Sequence, residues 1–188
     1  MKIILLSGKA ECGKSSVAKL AKERLEALGY KVVKLSYAQY VKDTAKMLFG
    51  WNGKKDEAGR ALLQWWGTDK VRAKSANFWV VTVIRLAEII RDMYDFAIID
   101  DARFPNELNQ WSAWDTYTVR VERPEHISAL TPEQLSHPSE TALDDYPFNI
   151  RLSARDWAEL VEQVENVLMP ELNPYAMAKQ EEKETNQQ

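Results

Sequence analysis

The sequence predicts an α/β fold built on a mostly parallel sheet, and three observations carry that prediction. A short apolar strand at 2–7, an amphipathic helix at 15–28 and a second strand at 30–36 follow one another directly, which is the pattern of a right-handed βαβ unit. Further short apolar runs at 96–99, 117–122 and 148–152 alternate with helical periodicity, as parallel sheets require. The chain turns from its first strand into its first helix through a glycine-bounded loop, Gly8 to Gly13, at the edge where such sheets bind ligands.

Each element has its own justification. In the first helix Val17, Leu20, Ala21, Leu25 and Leu28 share one face, with Lys19, Lys22, Glu23 and Glu26 opposite. Gly29 supplies its C-terminal cap. Residues 37–49 read as a helix closed by Gly50, Asn52-Gly53 as a turn, and 57–66 as a helix stopped by Gly67. The segment 78–93 is a largely buried helix whose polar residues Arg85, Glu88, Arg91 and Asp92 form one stripe. Thr131-Pro132-Glu133-Gln134 combines an N-cap, a proline at the first helical position and a glutamine at the third, which starts a short helix. Ser153 is expected to cap a last helix running to about 169. Residues 1–170 therefore form a single domain, with 37–77 a helical insertion and 123–147 a lid-like region. The segment 171–188 reads as a polar, disordered tail.

Composition narrows the function classes. The 188 residues are 45% hydrophobic and 28% charged, ordinary globular values, and the net charge of −3 provides no broad basic field for long nucleic acid. One cysteine excludes an internal disulfide framework. The apolar start ends at Ser7, too short for a secretory core, and no apolar run approaches the roughly 18 residues of a membrane span. A cytoplasmic protein is expected.

Gly8-Lys9-Ala10-Glu11-Cys12-Gly13-Lys14-Ser15 satisfies G-x-x-x-x-G-K-[ST] between a strand and a helix. The glycines let the backbone approach phosphate, successive N–H groups form an anion nest, and the helix start adds its dipole. Gly8 through Ser16 are the candidate nucleotide-binding residues, with Lys14 reaching the terminal phosphates and the Ser15 hydroxyl on Mg²⁺. Cys12 reads as a small residue that fits the loop. The strand at 96–99 ends in Asp100-Asp101, where an acid serves Mg²⁺ or orients the attacking group; Asp100 is taken as the metal-side acid and Asp101 as catalytic. One of the two is alternatively a cap for a helix starting near Pro105. Arg103 is placed to grip a phosphate.

Several segments together resemble the deoxynucleoside monophosphate kinases of tailed bacteriophages, within the adenylate-kinase-like phosphate-loop kinases. They are Leu6-Ser7-Gly8 through Lys14-Ser15, Leu62-Leu63-Gln64 with Gly67-Thr68-Asp69 and Arg72, Phe78-Trp79-Val80, Asp101-Ala102-Arg103-Phe104-Pro105-Asn106-Glu107, and His137-Pro138-Ser139-Glu140. The resemblance spans residues 6–140. It implies a three-layer phosphate-loop NTPase fold with a five-stranded sheet, a helical acceptor-binding insertion and a short lid. It also implies transfer of the ATP γ-phosphoryl group to a deoxynucleoside monophosphate, with Mg²⁺ as cofactor.

Two polyanions must meet, so Lys42, Arg72 and Arg103 become candidates for the acceptor phosphate. Trp79, or Trp65 or Trp66, becomes a surface for the base, and Gln64 a hydrogen-bonding partner for its edge. His137 and Glu140 join the acceptor side through their motif. Arg123, at the end of the strand 117–122, is the candidate phosphate or adenine contact, while Arg120 pairs with an acid. The expected partner is a small-molecule acceptor, with neither membrane nor duplex nucleic acid, and a homodimer is left open. Two alternatives remain: a kinase of hydroxymethylated pyrimidines in DNA, and an ATP-binding or NTPase module acting through a protein partner. Another small-molecule acceptor, such as dephospho-coenzyme A, is also left open.

Overall fold

The computed structural model describes residues 1–54, 56–128 and 130–172. Its sheet has the order β2-β3-β1-β4-β5 and is parallel throughout. The strands are β1 (Lys2–Ser7), β2 (Val32–Leu35), β3 (Phe96–Ala102), β4 (Thr116–Glu122) and β5 (Ile150–Ser153). Every residue of β1 is buried, because the strand lies between β3 and β4 with helices over both faces. Alternation sorts its side chains: Ile4 and Leu6 pack with Val17, Leu25, Leu160 and Val164 on one face, and Ile3 and Leu5 with Tyr37, Trp79, Val83 and Trp111 on the other. The fold is thus the expected three-layer phosphate-loop α/β fold.

The first face is covered by α1 (Lys14–Ala27) and α8 (Trp157–Gln163), and α8 runs on through a π-helical turn Val164–Leu168. The second is covered by α2 (Tyr37–Phe49) and α4 (Phe78–Ile90). Between these lie α3 (Glu57–Gln64), extended by a π-helical segment Trp65–Arg72. The short helices α5 (Pro105–Asn109), α6 (Pro132–Leu135) and α7 (Pro138–Thr141) sit beyond the strand ends. The capping box is formed: Thr131 Oγ accepts the Gln134 N–H at 3.3 Å and Gln134 Oε1 accepts the Thr131 N–H at 3.1 Å.

Four expectations shift. The helix from residue 57 does not stop at Gly67; it continues, because that glycine serves packing, where an added Cβ would come within 3.0 Å of Val41. Ser153 ends β5, and Asp156 caps α8 by accepting the Glu159 N–H at 3.0 Å. The helix at 78–93 ends at Ile90, leaving 91–93 as a turn. Leu172 is fully buried, so the packed domain reaches at least that residue; the rest of the expected tail lies outside the described residues.

Candidate active site

The phosphate loop is shaped by two glycines with different duties. At Gly8 a Cβ would lie 2.3 Å from the Val121 carbonyl oxygen, so the close approach of loop to β4 demands glycine. Gly13 stands at φ 101, a left-handed conformation, and is the N-cap of α1. No side chain caps this helix and no acid stands in its first turn, which leaves its positive end for an anion. Lys14 Nζ folds back to donate to the carbonyls of Gly8 (2.9 Å) and Lys9 (2.6 Å), and stands 3.7 Å from the buried Cys12 Sγ. Burial pushes the Lys14 pKa down, and the nearby Arg103 pushes the same way; Cys12 and Glu140 oppose them.

The two acids at the end of β3 divide their work. Ser15 Oγ donates to Asp100 Oδ2 at 2.8 Å, so a hydroxyl and a carboxylate stand side by side at the helix start. These hard oxygen donors suit Mg²⁺, which typically takes one or two protein ligands and completes its shell with phosphate and water. Lys34 of β2 also contacts Asp100, at 2.7 Å. Asp101 points to the other face. Its carboxylate accepts Ser36 Oγ–H (2.7 Å) and the N–H groups of Tyr37 (3.2 Å) and Ala38 (2.8 Å), tying down the start of α2. Burial raises its pKa against these donors. The capping acid is therefore Asp101, and the helix it serves is α2 rather than the one at Pro105. With its oxygens turned to α2 in this way, Asp101 anchors the start of that helix while standing in the cavity wall.

A cavity of about 830 Å³ opens beside the loop at Ala10 and Glu11 and reaches between α2, α3 and the short helices. Lys42, Arg60, Arg72 and Arg103 line it together with Gln64, Phe104 and His137. Lys42 is half-buried and has no ion-pair partner among the described residues. Arg72 pairs with the buried Glu107 and lies over the Phe104 ring, 4.6 Å from its centroid. Arg103 Nη1 donates to the Gly8 carbonyl (3.2 Å) and to Glu140 Oε1 (2.7 Å). The expected acceptor residues Lys42, Gln64, Arg72, Arg103, His137 and Glu140 thus share one cavity.

From the segment 123–147, Leu130, Glu133, Gln134, His137, Ser139 and Glu140 line the same cavity. Glu140 Oε2 accepts the Ala10 N–H at 2.8 Å, so a side-chain carboxylate occupies a loop donor. Gln64 Nε2 and His137 Nε2 stand 3.3 Å apart, Lys9 pairs with Asp144 at 3.3 Å, and His126 meets Glu11 at 3.2 Å. Arg120 is buried and pairs with Asp144 at 2.6 Å, as expected of an arginine that answers an acid.

The remaining candidates differ in place: Trp79 lines the same cavity, and Trp65, Trp66 and Arg123 do not. Trp79 is 2% exposed and its indole N–H is spent on the Gly67 carbonyl at 3.0 Å, so it gives the cavity a buried edge and no stacking face. Trp65 and Trp66 pack around Phe49, outside the lining. Arg123 is exposed and joins the ends of β4 and β5 by donating to the Arg155 carbonyl at 3.2 Å; it does not line this cavity. Sequence reading missed Lys34 and Phe104 as site residues. It also missed Glu107, although an acid at the third position of a proline-started helix is a recognisable N-terminal signal.

No family model matches the chain. A phosphomevalonate kinase of Drosophila melanogaster is 27% identical over 188 residues, covering 92% of this chain and 97% of that protein. Among solved structures, the Mycobacterium tuberculosis APS kinase in complex with AMPPNP and APS aligns at 16% identity over 89% of this chain and 95% of that one, with a TM-score of 0.48. The shikimate kinase of Aquifex aeolicus aligns at 16% over 94% and 99%, with a TM-score of 0.45. The sheet, the phosphate loop and the curated match together support a phosphate-loop kinase, a phosphotransferase with a small-molecule acceptor. Among the described residues no helix is long and apolar enough to cross a membrane.

Proposed function

We propose that the chain transfers the γ-phosphoryl group of ATP to the phosphate of a deoxynucleoside monophosphate, giving ADP and the diphosphate. The observation that carries this reading is the convergence of Lys42, Arg72 and Arg103 on a cavity that begins at the phosphate loop. Those cations suit an acceptor that is itself a phosphate. An acceptor phosphate oxygen forms a bond to the γ-phosphorus as the bond to the β–γ bridging oxygen breaks, and the electron pair leaves with ADP. The attacking oxygen is already anionic, so no side chain has to take a proton.

Lys14 would neutralise the donor phosphates. Arg103, which touches both the loop and the acceptor cavity, would span the transfer. Mg²⁺, when bound, would be held by Ser15 and Asp100 and would neutralise donor oxygens. Gln64 presents an amide to the cavity, and Val41, Leu63 and Phe104 supply apolar wall for a base. The base reading comes from the motif resemblance.

The likeness to phosphomevalonate kinase favours a second reading, a phosphate-monoester acceptor without a base. A coupled ADP-release screen over dAMP, dGMP, dCMP, dTMP, dUMP, 5-hydroxymethyl-dCMP and phosphomevalonate separates the two. Turnover of one or more deoxynucleotides, lost in Lys14→Ala, is expected. Turnover of phosphomevalonate alone removes the base, and silence on the whole panel with ATP binding intact removes the reaction.

A further inference from the structure

Arg72 reaches the cavity from the π-helical segment that ends the insertion, while Arg103 belongs to the loop after β3. These two pieces of the chain are joined by one side chain. Glu107, in α5, has its carboxylate 2% exposed. One oxygen faces the Arg72 guanidinium, and the other accepts the backbone N–H groups of Arg103 (2.5 Å) and Phe104 (3.0 Å), which fixes the chain from which the Arg103 side chain springs. Glu107 is itself held: its carbonyl accepts the buried Tyr37 hydroxyl at 2.7 Å, which accepts the Trp111 indole N–H at 2.8 Å.

A buried carboxylate is weak evidence for stability, since its desolvation offsets much of the attraction it gains. Its geometry suits another task. Arg72 spends one nitrogen on Glu107 and keeps the rest of its five-donor fork. Stacking on Phe104 fixes the plane of that fork. Arg72 answers Glu107 and Arg103 answers Glu140, so each arginine is held by a carboxylate at the cavity wall until an acceptor arrives.

We propose that Glu107 is the positioning residue that sets Arg72 and Arg103 as a two-armed clamp on the acceptor phosphate. It acts through the arginines and does not touch the acceptor. The inference rests on the phosphate-acceptor reading above and adds to it the device that fixes the arms. A glutamine at 107 would place an N–H₂ against either the Arg72 fork or the backbone donors, so one arm must move. Misplacement of a positioning group by about 1 Å costs on the order of 100-fold.

The test is a double-mutant cycle on the full chain, using the acceptor that the screen identifies. Glu107→Gln is expected to raise the acceptor KM by at least ~10-fold, with the ATP KM changed less than ~2-fold. In an Arg72→Ala background the same change should have a smaller effect on the acceptor KM, because only the Arg103 arm is then left for Glu107 to set. Equal rises in both KM values, or effects that multiply in the double variant, would overturn the proposal.

A second measurement needs neither turnover nor a Glu107 variant. In ¹⁵N-labelled wild-type protein without acceptor, the Arg72 Nη2 protons, assigned by their loss in Arg72→Lys, should give a resolved resonance slow to exchange. A signal averaged with those of exposed arginines shows that Glu107 does not hold the fork. If the screen is silent while this signal is resolved, the acceptor reading fails and the hold on Arg72 stands.

Discussion

Glu140 makes the sharpest prediction about the nucleotide site, because its sign separates two roles. Its side chain is 8% exposed, and its two oxygens accept the Ala10 N–H at 2.8 Å and Arg103 Nη1 at 2.7 Å. The first donor belongs to the phosphate loop, and the second, from the segment after β3, lies against the loop at the Gly8 carbonyl. We propose that a phosphate oxygen of the donor nucleotide takes these two partners and displaces the protein's own carboxylate. A hydrogen bond to a charged group is worth about 1.5–3 kcal/mol net and a neutral one about 0.5–1.5. Glu140→Gln keeps the shape, weakens both contacts and turns one of them donor to donor. The resting contact then loses about 1.5–2 kcal/mol, which returns as nucleotide affinity of roughly 10- to 30-fold. Isothermal titration of MgATP into wild type and Glu140→Gln reads this directly, with inorganic triphosphate as a probe of the phosphate contribution alone. A tighter Kd for both ligands is expected. A Kd that is weaker, or within about twofold of wild type, would refute the displacement argument and return Glu140 to a residue that supports the bound state.

Two further outcomes test the core and the titrating groups. Trp79→Ala should destabilise the domain by about 3–5 kcal/mol, because Trp79 is 2% exposed and spends its N–H on Gly67; Trp65→Ala, at a site 39% exposed, should cost far less, and equal urea midpoints for the two variants would contradict the assignment. The Asp101 pKa lies above its ordinary 3.8 in the folded chain because of burial, so the folded state holds this proton more tightly than the unfolded one. Its contribution to stability then falls as the pH rises from about 3.8 through the folded-state value, and is level above it. Asp101→Asn cannot titrate; the wild-type margin over it, from urea midpoints between pH 4 and 7, should shrink with rising pH, and a margin that grows would reverse the assignment.

The parts legible in the sequence are those encoded contiguously. The loop is one, since strand, glycines, Lys14 and helix follow in a single run and their geometry is local. The capping box at Thr131 is another. The acids at the end of β3 were half legible. Alternation along a strand sends adjacent residues to opposite faces, so a split role for Asp100 and Asp101 is foreseeable. Which of them meets Ser15 depends on the sheet order and on which face carries α1, and neither is local information. Trp79 was illegible for a different reason. Its helix is apolar over most of its circumference, and such a pattern does not distinguish a wall of the core from a surface offered to a base.

The long-range pairs explain the remainder, and also why the resembling segments occur as a set. Gln64 meets His137, Arg72 meets Glu107, Arg103 meets Glu140, and Glu140 reaches Ala10 across 130 positions of the chain. Each contact joins a residue of one segment to a residue of another. No single segment could hold its charges in place alone: Glu107 without Arg72 is a buried unpaired carboxylate, and Arg103 without Glu140 loses its tie to the lid side. A motif of this kind is a property of the closed constellation. That is why Asp-x-Arg-Phe-Pro-Asn-Glu, read by itself, yields a strand end and a helix start, while its chemistry appears only when the insertion and the lid-like segment are brought to the same strand edge.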